Sequence, residues 1–153
     1  MFAPFTVSLI AVSAFAQPAA GCQPISILSF ALGSTAPDVT GTAELEDFAG
    51  RAIRSLERIE TIQVVGHSDR TGSQRSRQLV STARARQVRY MLISYGLPEG
   101  IIVATGLGDR HPLFPTEDNV REPQNRRVEL SISFKPTAEL VGVRTGGEGA
   151  PIC

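Results

Sequence analysis

Residues Val64–Val88 read VVGHSDRTGSQRSRQLVSTARARQV, and the rest of the chain arranges itself around this stretch. The short apolar run Ile62-Gln63-Val64-Val65 reads as a buried strand. It stops at Gly66-His67-Ser68-Asp69, a cluster of turn-formers. Asp69 therefore lies just past a strand end, where rigid scaffolds commonly carry function. A long arginine-rich helical pattern follows, so strand, polar loop and helix succeed one another within about thirty residues.

On the C-terminal side the helix is predicted from Ser73 or Ser76 to Tyr95, with Val80, Ala83, Val88, Met91, Leu92 and Tyr95 as its apolar side. Gly96 supplies a C-terminal stop and Pro98 blocks continuation. Ile101 to Thr105 reads as a third strand and Gly106 to Gln124 as a long polar connection. In the last strand Val128, Leu130, Ile132 and Phe134 alternate with Glu129, Ser131 and Ser133, giving one buried and one wet face. On the N-terminal side Ile25 to Phe30 reads as the first strand, and Gly33 to Gly41 as a loop containing Pro37. Ala43 to Ile59 reads as a helix whose stripe is Leu45, Phe48, Ala49, Ala52, Ile53, Leu56 and Ile59. Glu44, Glu46 and Asp47 fall in its expected first turn, where the helix dipole favours acids. The order is strand, helix, strand, helix, strand, strand. Two right-handed crossovers make the first three strands parallel, and the half-wet last strand pairs antiparallel. An α/β sandwich is expected, with a mixed four-stranded sheet and both helices on one face.

The 153 residues suit one domain, placed at 25–135 with a Gly-rich tail at 136–153. Net charge is zero, which excludes bulk attraction of polyanions. Locally the balance differs: Arg70 to Arg89 holds six arginines and no acid. Fourteen arginines stand against the single lysine, Lys135, and the arginine fork suits carboxylates. With two cysteines and two histidines there is no zinc-like ligand spacing, so neither metal nor cofactor is expected. Met1 to Ala16 carries no charge, and Ala14-Phe15-Ala16 is an A-x-A cleavage signal, so residues 1–16 read as a signal peptide and 17–24 as an N-terminal segment. The missing positive n-region departs from that pattern. Export to an oxidising periplasm permits a disulfide between Cys22 and Cys153. Closing so long a loop constrains the unfolded chain by about 4–5 kcal/mol in the entropic picture. The rival reading is a weak lipoprotein box, Ala19-Ala20-Gly21-Cys22, in which Cys22 carries lipid and attaches the protein to the outer membrane.

Asp69 and Arg84 are fifteen residues apart, one on the loop and one on the helix. Helical side chains lean toward the N-terminus, so the Arg84 guanidinium points back toward the Asp69 loop. From these residues alone the ordinary reading is a salt bridge or two solvated charges.

Several motifs together resemble the OmpA-like peptidoglycan-binding family, which includes the peptidoglycan-associated lipoproteins. They are Gly66-His67-Ser68-Asp69, Gly72, Val80-Ser81-Thr82-Ala83-Arg84-Ala85 with Val88, Gly106-Leu107-Gly108-Asp109, Pro112 and Asn125-Arg126-Arg127-Val128, in the family's order and spacing. The resemblance runs from about Ile25 to Phe134 and implies the β-α-β-α-β-β fold. It also implies a non-catalytic module tethering the envelope to the wall, with Asp69 and Arg84 holding the meso-diaminopimelate of the peptidoglycan stem peptide. Asp69 would take the ammonium and a bidentate Arg84 the carboxylate of that zwitterion. Thr71, Gly72, Asn125 and Arg126 are expected to line or buttress the site. Arg77 stands where the family usually has Asn, and the extra cation either strengthens carboxylate binding or crowds the site. Arg127 reads as a structural or solvated charge and His67 as a packed or capping one.

Two other classes compete. A cell-wall hydrolase is suggested by His67, Ser68 and Asp69, but these sit too close together on one strand end to form an orienting chain, and no G-x-S-x-G motif is present. An arginine-mediated polyanion or nucleic-acid binder is suggested by the arginine run, but the helix lacks interleaved aromatics before Tyr90.

Overall fold

A computed structural model describes residues 26–135. The elements are β1 (Ser26–Ser29), α1 (Val39–Arg54), β2 (Ile59–Gly66), α2 (Gln74–Ser94), β3 (Ile102–Gly106) and β4 (Arg127–Phe134), with short 3-10 turns before β2, β3 and β4. They form one mixed four-stranded sheet in the order β1-β4-β2-β3. Strand β4 runs antiparallel to both β1 and β2, whereas β2 and β3 are parallel. The first three strands thus share a direction, as expected from the crossovers. The expected signal segment and its expected cleavage site, together with Cys22 and Cys153, lie outside the described residues.

The register places Leu28 beside Val128, Val64 beside Leu130, and Ile62 beside both Ile132 and Ile102. All seven point to the face covered by the helices and, with Leu45, Phe48, Ala52, Val88 and Leu92, form the core. On the other face Ile27, Gln63 and Val103 are exposed. The period-two alternation of β4 therefore divides the sheet into a dry and a wet side.

Helix α1 begins and ends earlier than its apolar stripe suggests. Asp38 caps it by accepting from the Gly41 N–H at 2.7 Å, so Gly41 lies in the first turn. Glu44, Glu46 and Asp47 consequently sit beyond the first turn, which contains no acid. At the other end the helix stops at Arg54, and Leu56–Arg58 form a 3-10 turn. A 3-10 turn repeats every three residues, so Leu56 and Ile59 still fall in phase with the helix stripe although Ile59 opens β2. Ile53 of the expected stripe is exposed.

Helix α2 is capped by Ser73, whose hydroxyl accepts from the Ser76 N–H at 3.2 Å. It closes with Gly96 N–H donating to Ile93 and Leu97 N–H to Leu92, the paired bonds of a Schellman motif. Its buried residues are Ser81, Arg84, Ala85, Val88 and Leu92, so Ala83, expected on the apolar side, is exposed instead. The helix meets the sheet through Gly66 and Gly106, neighbours in the β2–β3 register. A Cβ on Gly66 would fall 2.1 Å from the Ser81 carbonyl oxygen, and one on Gly106 would fall 2.4 Å from the Thr82 nitrogen. Backbone-to-backbone approach at these two glycines sets the first half of α2 directly over the strand ends, where the Asp69 loop emerges.

Candidate functional site

The loop leaving β2 is held from both sides. His67 N–H donates to the Arg127 carbonyl at 2.8 Å and Ser68 N–H to the Gly108 carbonyl at 2.9 Å. The chain then turns at Asp69, whose Oδ1 accepts from Thr71 Oγ1 at 2.5 Å and Thr71 N at 3.3 Å. This side-chain-to-backbone pattern is the usual local reason for aspartate at such a turn. Asp69 Oδ2 accepts from Arg126 Nη1 at 3.0 Å. Burial alone pushes the Asp69 carboxyl up, but the bonds from Thr71 and Arg126 outweigh it and hold the group below its ordinary value.

Arg84 is 1% exposed, yet its partners are not acids. Its Nε donates to the Ser34 carbonyl at 2.9 Å, Nη1 to the His67 carbonyl at 3.1 Å and Nη2 to the Ala31 carbonyl at 3.2 Å. The guanidinium also stands over the Phe30 ring, 5.2 Å from its centroid. Of the five N–H donors on a guanidinium, three are thus directed to carbonyls, leaving one on each terminal nitrogen. Burial lowers the Arg84 pKa to about 10, with Asp69 pushing it up and Arg126 down, so the group stays charged at neutral pH.

These charges face one cleft of about 230 Å³, lined by Leu32, Gly33, Ser68, Asp69, Thr71, Gly72, Ser76, Arg77, Val80, Arg84 and Arg126. Asp69, Thr71, Gly72, Arg77, Arg84 and Arg126 are thus brought together as the motif spacing suggests. Asn125 is not among them. It is fully buried, and its side-chain amide accepts from Phe114 N at 3.0 Å and donates to Phe114 O at 2.7 Å, fixing the connection before β4 from behind. The direct ion-pair partner of Asp69 is Arg126, whose Nε also holds the Phe30 carbonyl at 3.1 Å.

Arg77 lines the cleft, but its guanidinium is drawn away from Asp69. It donates to Asp109 at 2.5 Å and to the Gly72 carbonyl at 3.1 Å, with Asp118 at 3.5 Å. Arg70 completes the network, 2.7 Å from Asp118 and 3.5 Å from Asp109. Four alternating charges thus clamp the Gly106–Gln124 connection onto the loop that carries Asp69. The acids in that connection and the arginine run opposite were the sequence signal for this clamp. Arg127 is buried and bonded to Glu129 and the His111 carbonyl, and His67 is packed outside the cleft. Leu32, Gly33, Ser68, Ser76 and Val80 are the lining residues that motif spacing did not single out.

Comparison with known proteins gives a consistent result. The model of a family described as the OmpA family matches residues 29–126. An outer membrane protein of Gluconacetobacter diazotrophicus is 36% identical over 97 residues, 58% of this chain and 26% of that protein. The sodium-type flagellar protein MotY of Vibrio parahaemolyticus is 30% identical over 90 residues, 59% of this chain and 29% of that protein. The chain thus spans about a quarter to a third of the length of these relatives. Among solved structures, the peptidoglycan-associated lipoprotein of Burkholderia pseudomallei superimposes with a TM-score of 0.63 at 24% identity, covering 70% of this chain and 89% of that one. A MotB-like protein of Desulfovibrio vulgaris gives 0.57 at 28% identity, covering 72% and 70%.

Proposed function

The chain belongs to the OmpA family, and from that premise we propose that it is a non-catalytic module that binds peptidoglycan through the Asp69–Arg84 cleft and ties the cell envelope to the wall. Its relatives include outer membrane and flagellar proteins, and its structural neighbours include a peptidoglycan-associated lipoprotein. Those likenesses support a periplasmic, envelope-associated location.

The observation that carries the reading is a buried cation and a buried anion facing one small cleft without neutralising each other. Asp69 has about four acceptor sites, of which Thr71 and Arg126 take three. Arg84 retains two donors. Both charges are aligned by neighbours before any ligand arrives, which lowers the ordering cost of binding. The free end of meso-diaminopimelate presents an ammonium and a carboxylate on one carbon. Its ammonium meets Asp69 and its carboxylate meets the remaining Arg84 donors, each as a charge-assisted bond. A cleft of about 230 Å³ is below the roughly 300–1,000 Å³ that encloses a drug-sized molecule, so it suits the end of one amino-acid side chain rather than a glycan strand. Thr71 and Arg126 position the carboxylate of Asp69. Arg77 holds the clamp, its charge paired with Asp109 and Asp118. Gly72 and Ser76 bring the start of α2 to the cleft, where the helix dipole favours an anion.

Retention on purified diaminopimelate-type sacculi tests this directly. Wild-type protein should stay bound at moderate salt, and Asp69→Asn should lose about 2–5 kcal/mol of binding. Binding that collapses with salt to the same extent for both proteins would instead fit an arginine-mediated polyanion binder. Release of soluble muropeptides would fit a hydrolase.

A further inference from the structure

We infer that Gln78 and Arg89 of α2 are edge guards, which cap strand β3 and keep it from pairing with the β3 of a second copy of this chain. The inference stands apart from what the cleft binds. Among the described residues β3 is the last strand of the sheet, with β2 on one side and no strand on the other. Its sequence, Ile102-Val103-Ala104-Thr105-Gly106, carries no charge and no proline, and Val103 is 53% exposed. An edge of that kind is a template for strand addition unless something covers it.

In a parallel ladder alternate residues of a strand turn both backbone groups toward the same neighbour. Leu107 N–H donates to the Gly66 carbonyl of β2 at 2.9 Å, so Val103 and Thr105 bond inward, and Ile102, Ala104 and Gly106 face outward. The first and last of these are capped from α2. Arg89 Nε donates to the Ile102 carbonyl at 3.1 Å and Gln78 Nε2 to the Gly106 carbonyl at 2.7 Å. Each guard is itself held by a charged partner: Arg89 Nη2 donates to Glu99 at 2.7 Å, and Arg110 Nη2 donates to Gln78 Oε1 at 3.0 Å. The spans agree, since Gln78 to Arg89 is about 16 Å of helix and Ile102 to Gly106 about 13 Å of strand. Ala104 remains between them, in a groove of about 210 Å³ that Arg86, Arg89 and Tyr90 also line. One open residue does not template a strand, so a second copy pairs here only after both guards leave their carbonyls. Once bare, the edge pairs with itself about a two-fold axis at Ala104, the same five residues serving both sides.

The test is sedimentation velocity of the full chain over a concentration series, with thermal melts and amide hydrogen exchange on the same samples. The double variant Gln78→Ala/Arg89→Ala should dimerise about tenfold or more tightly than wild type. As its concentration rises, the amides of Ile102, Ala104 and Gly106 should become protected from exchange. The two single variants, each opening one end of the strand, should fall between. Arg75→Ala, which removes an exposed charge from the same helix, should sediment like wild type. A folded double variant as monomeric as wild type would overturn the inference. So would a dimer whose β3 amides gain no protection, because the contact would lie elsewhere. A double variant that fails to fold would overturn it too, since the two side chains would then serve the fold. Wild-type protein that already dimerises with those amides protected would show that the guards leave the edge open, with the same consequence.

Discussion

Replacing Arg84 by lysine keeps a positive charge but removes the planar fork, and the consequences can be worked out from its surroundings. Arg84 serves two segments at once, the carbonyls of Ala31 and Ser34 on one side and that of His67 on the other. A lysine ammonium is a point donor and keeps one or two of these bonds. Each lost charge-assisted bond is worth about 1.5–3 kcal/mol, so with one or two lost the variant should be less stable by about 1.5–6 kcal/mol. For a domain of this size that is a fall in melting temperature of about 6–25 °C. The charge itself becomes conditional. Burial holds Arg84 at about 10 against an ordinary 12.5. The same burial acting on a lysine lowers its pKa in the same direction, from an ordinary value of about 10.4 that is already below that of arginine. The variant should therefore bind the diaminopimelate tripeptide about tenfold to a hundredfold more weakly at pH 6. Its disadvantage should then widen as pH rises, as the lysine loses its proton at a lower pH than the arginine does. Taking the ratio of wild-type to variant affinity cancels titration of the ligand. Calorimetric titration at several pH values, below the melting temperature of the variant, measures this. A ratio that does not change with pH would refute the claim that a desolvated cation at position 84 contacts the ligand. An unchanged melting temperature would refute the claim that its donors hold the Ala31–Ser34 loop.

Three further outcomes are expected. Gly66→Ala should lose about 3 kcal/mol or more of stability in urea unfolding, because the new methyl meets the Ser81 carbonyl, which a well-packed backbone can relieve only by moving α2 off the sheet. Glu129 is held down to about 2 by His67 and Arg127 against the opposing effect of burial, compared with an ordinary 4.5. A carboxylate lowered on folding stabilises above its unfolded value, and that stability is lost as pH falls through the folded one, so the window runs from about 4.5 down to about 2. The melting-temperature gap between wild type and Glu129→Gln should therefore correspond to no more than about 3 kcal/mol above that window and close within it. Intact-mass analysis of envelope-fraction protein should find Gln17 at the N-terminus and a Cys22–Cys153 disulfide; two free thiols would reject the disulfide, and a lipid adduct on Cys22 would establish the lipoprotein anchor.

The sheet was legible because its signals are local. The alternation of β4 and the Gly96–Pro98 stop each follow from a few neighbouring residues, and the crossover rule converts their order into strand directions. The end of α1 was not legible, because Leu56 and Ile59 satisfy a helical period and a 3-10 turn equally well. The buried side of α2 was misread near its start for a related reason. Its inward residues there are Ser81, Arg84 and Ala85, and hydrophobic periodicity has no means of selecting a serine or an arginine over Val80 and Ala83. Asp69 and Arg84 emerged from motif spacing, but their partners did not. Arg126 is 57 residues from Asp69, and the Arg84 acceptors are backbone carbonyls, which have no side-chain signature. Asn125 lies next to Arg126 in the chain and faces the other way, toward the Phe114 backbone.

The central claim is that Asp69 and Arg84 read the two opposite charges of one diaminopimelate end. It is tested most directly by comparing affinities for a diaminopimelate stem tripeptide, the same peptide with the carboxylate beside its free ammonium amidated, and the corresponding lysine peptide. The amide and lysine forms keep an ammonium for Asp69 but lack the carboxylate on the same carbon that Arg84 is to read. Both should bind about tenfold or more weakly than the free acid, and Arg84→Lys should add little further loss for either. Equal affinity for all three peptides would contradict the account, even for a protein that still binds the wall.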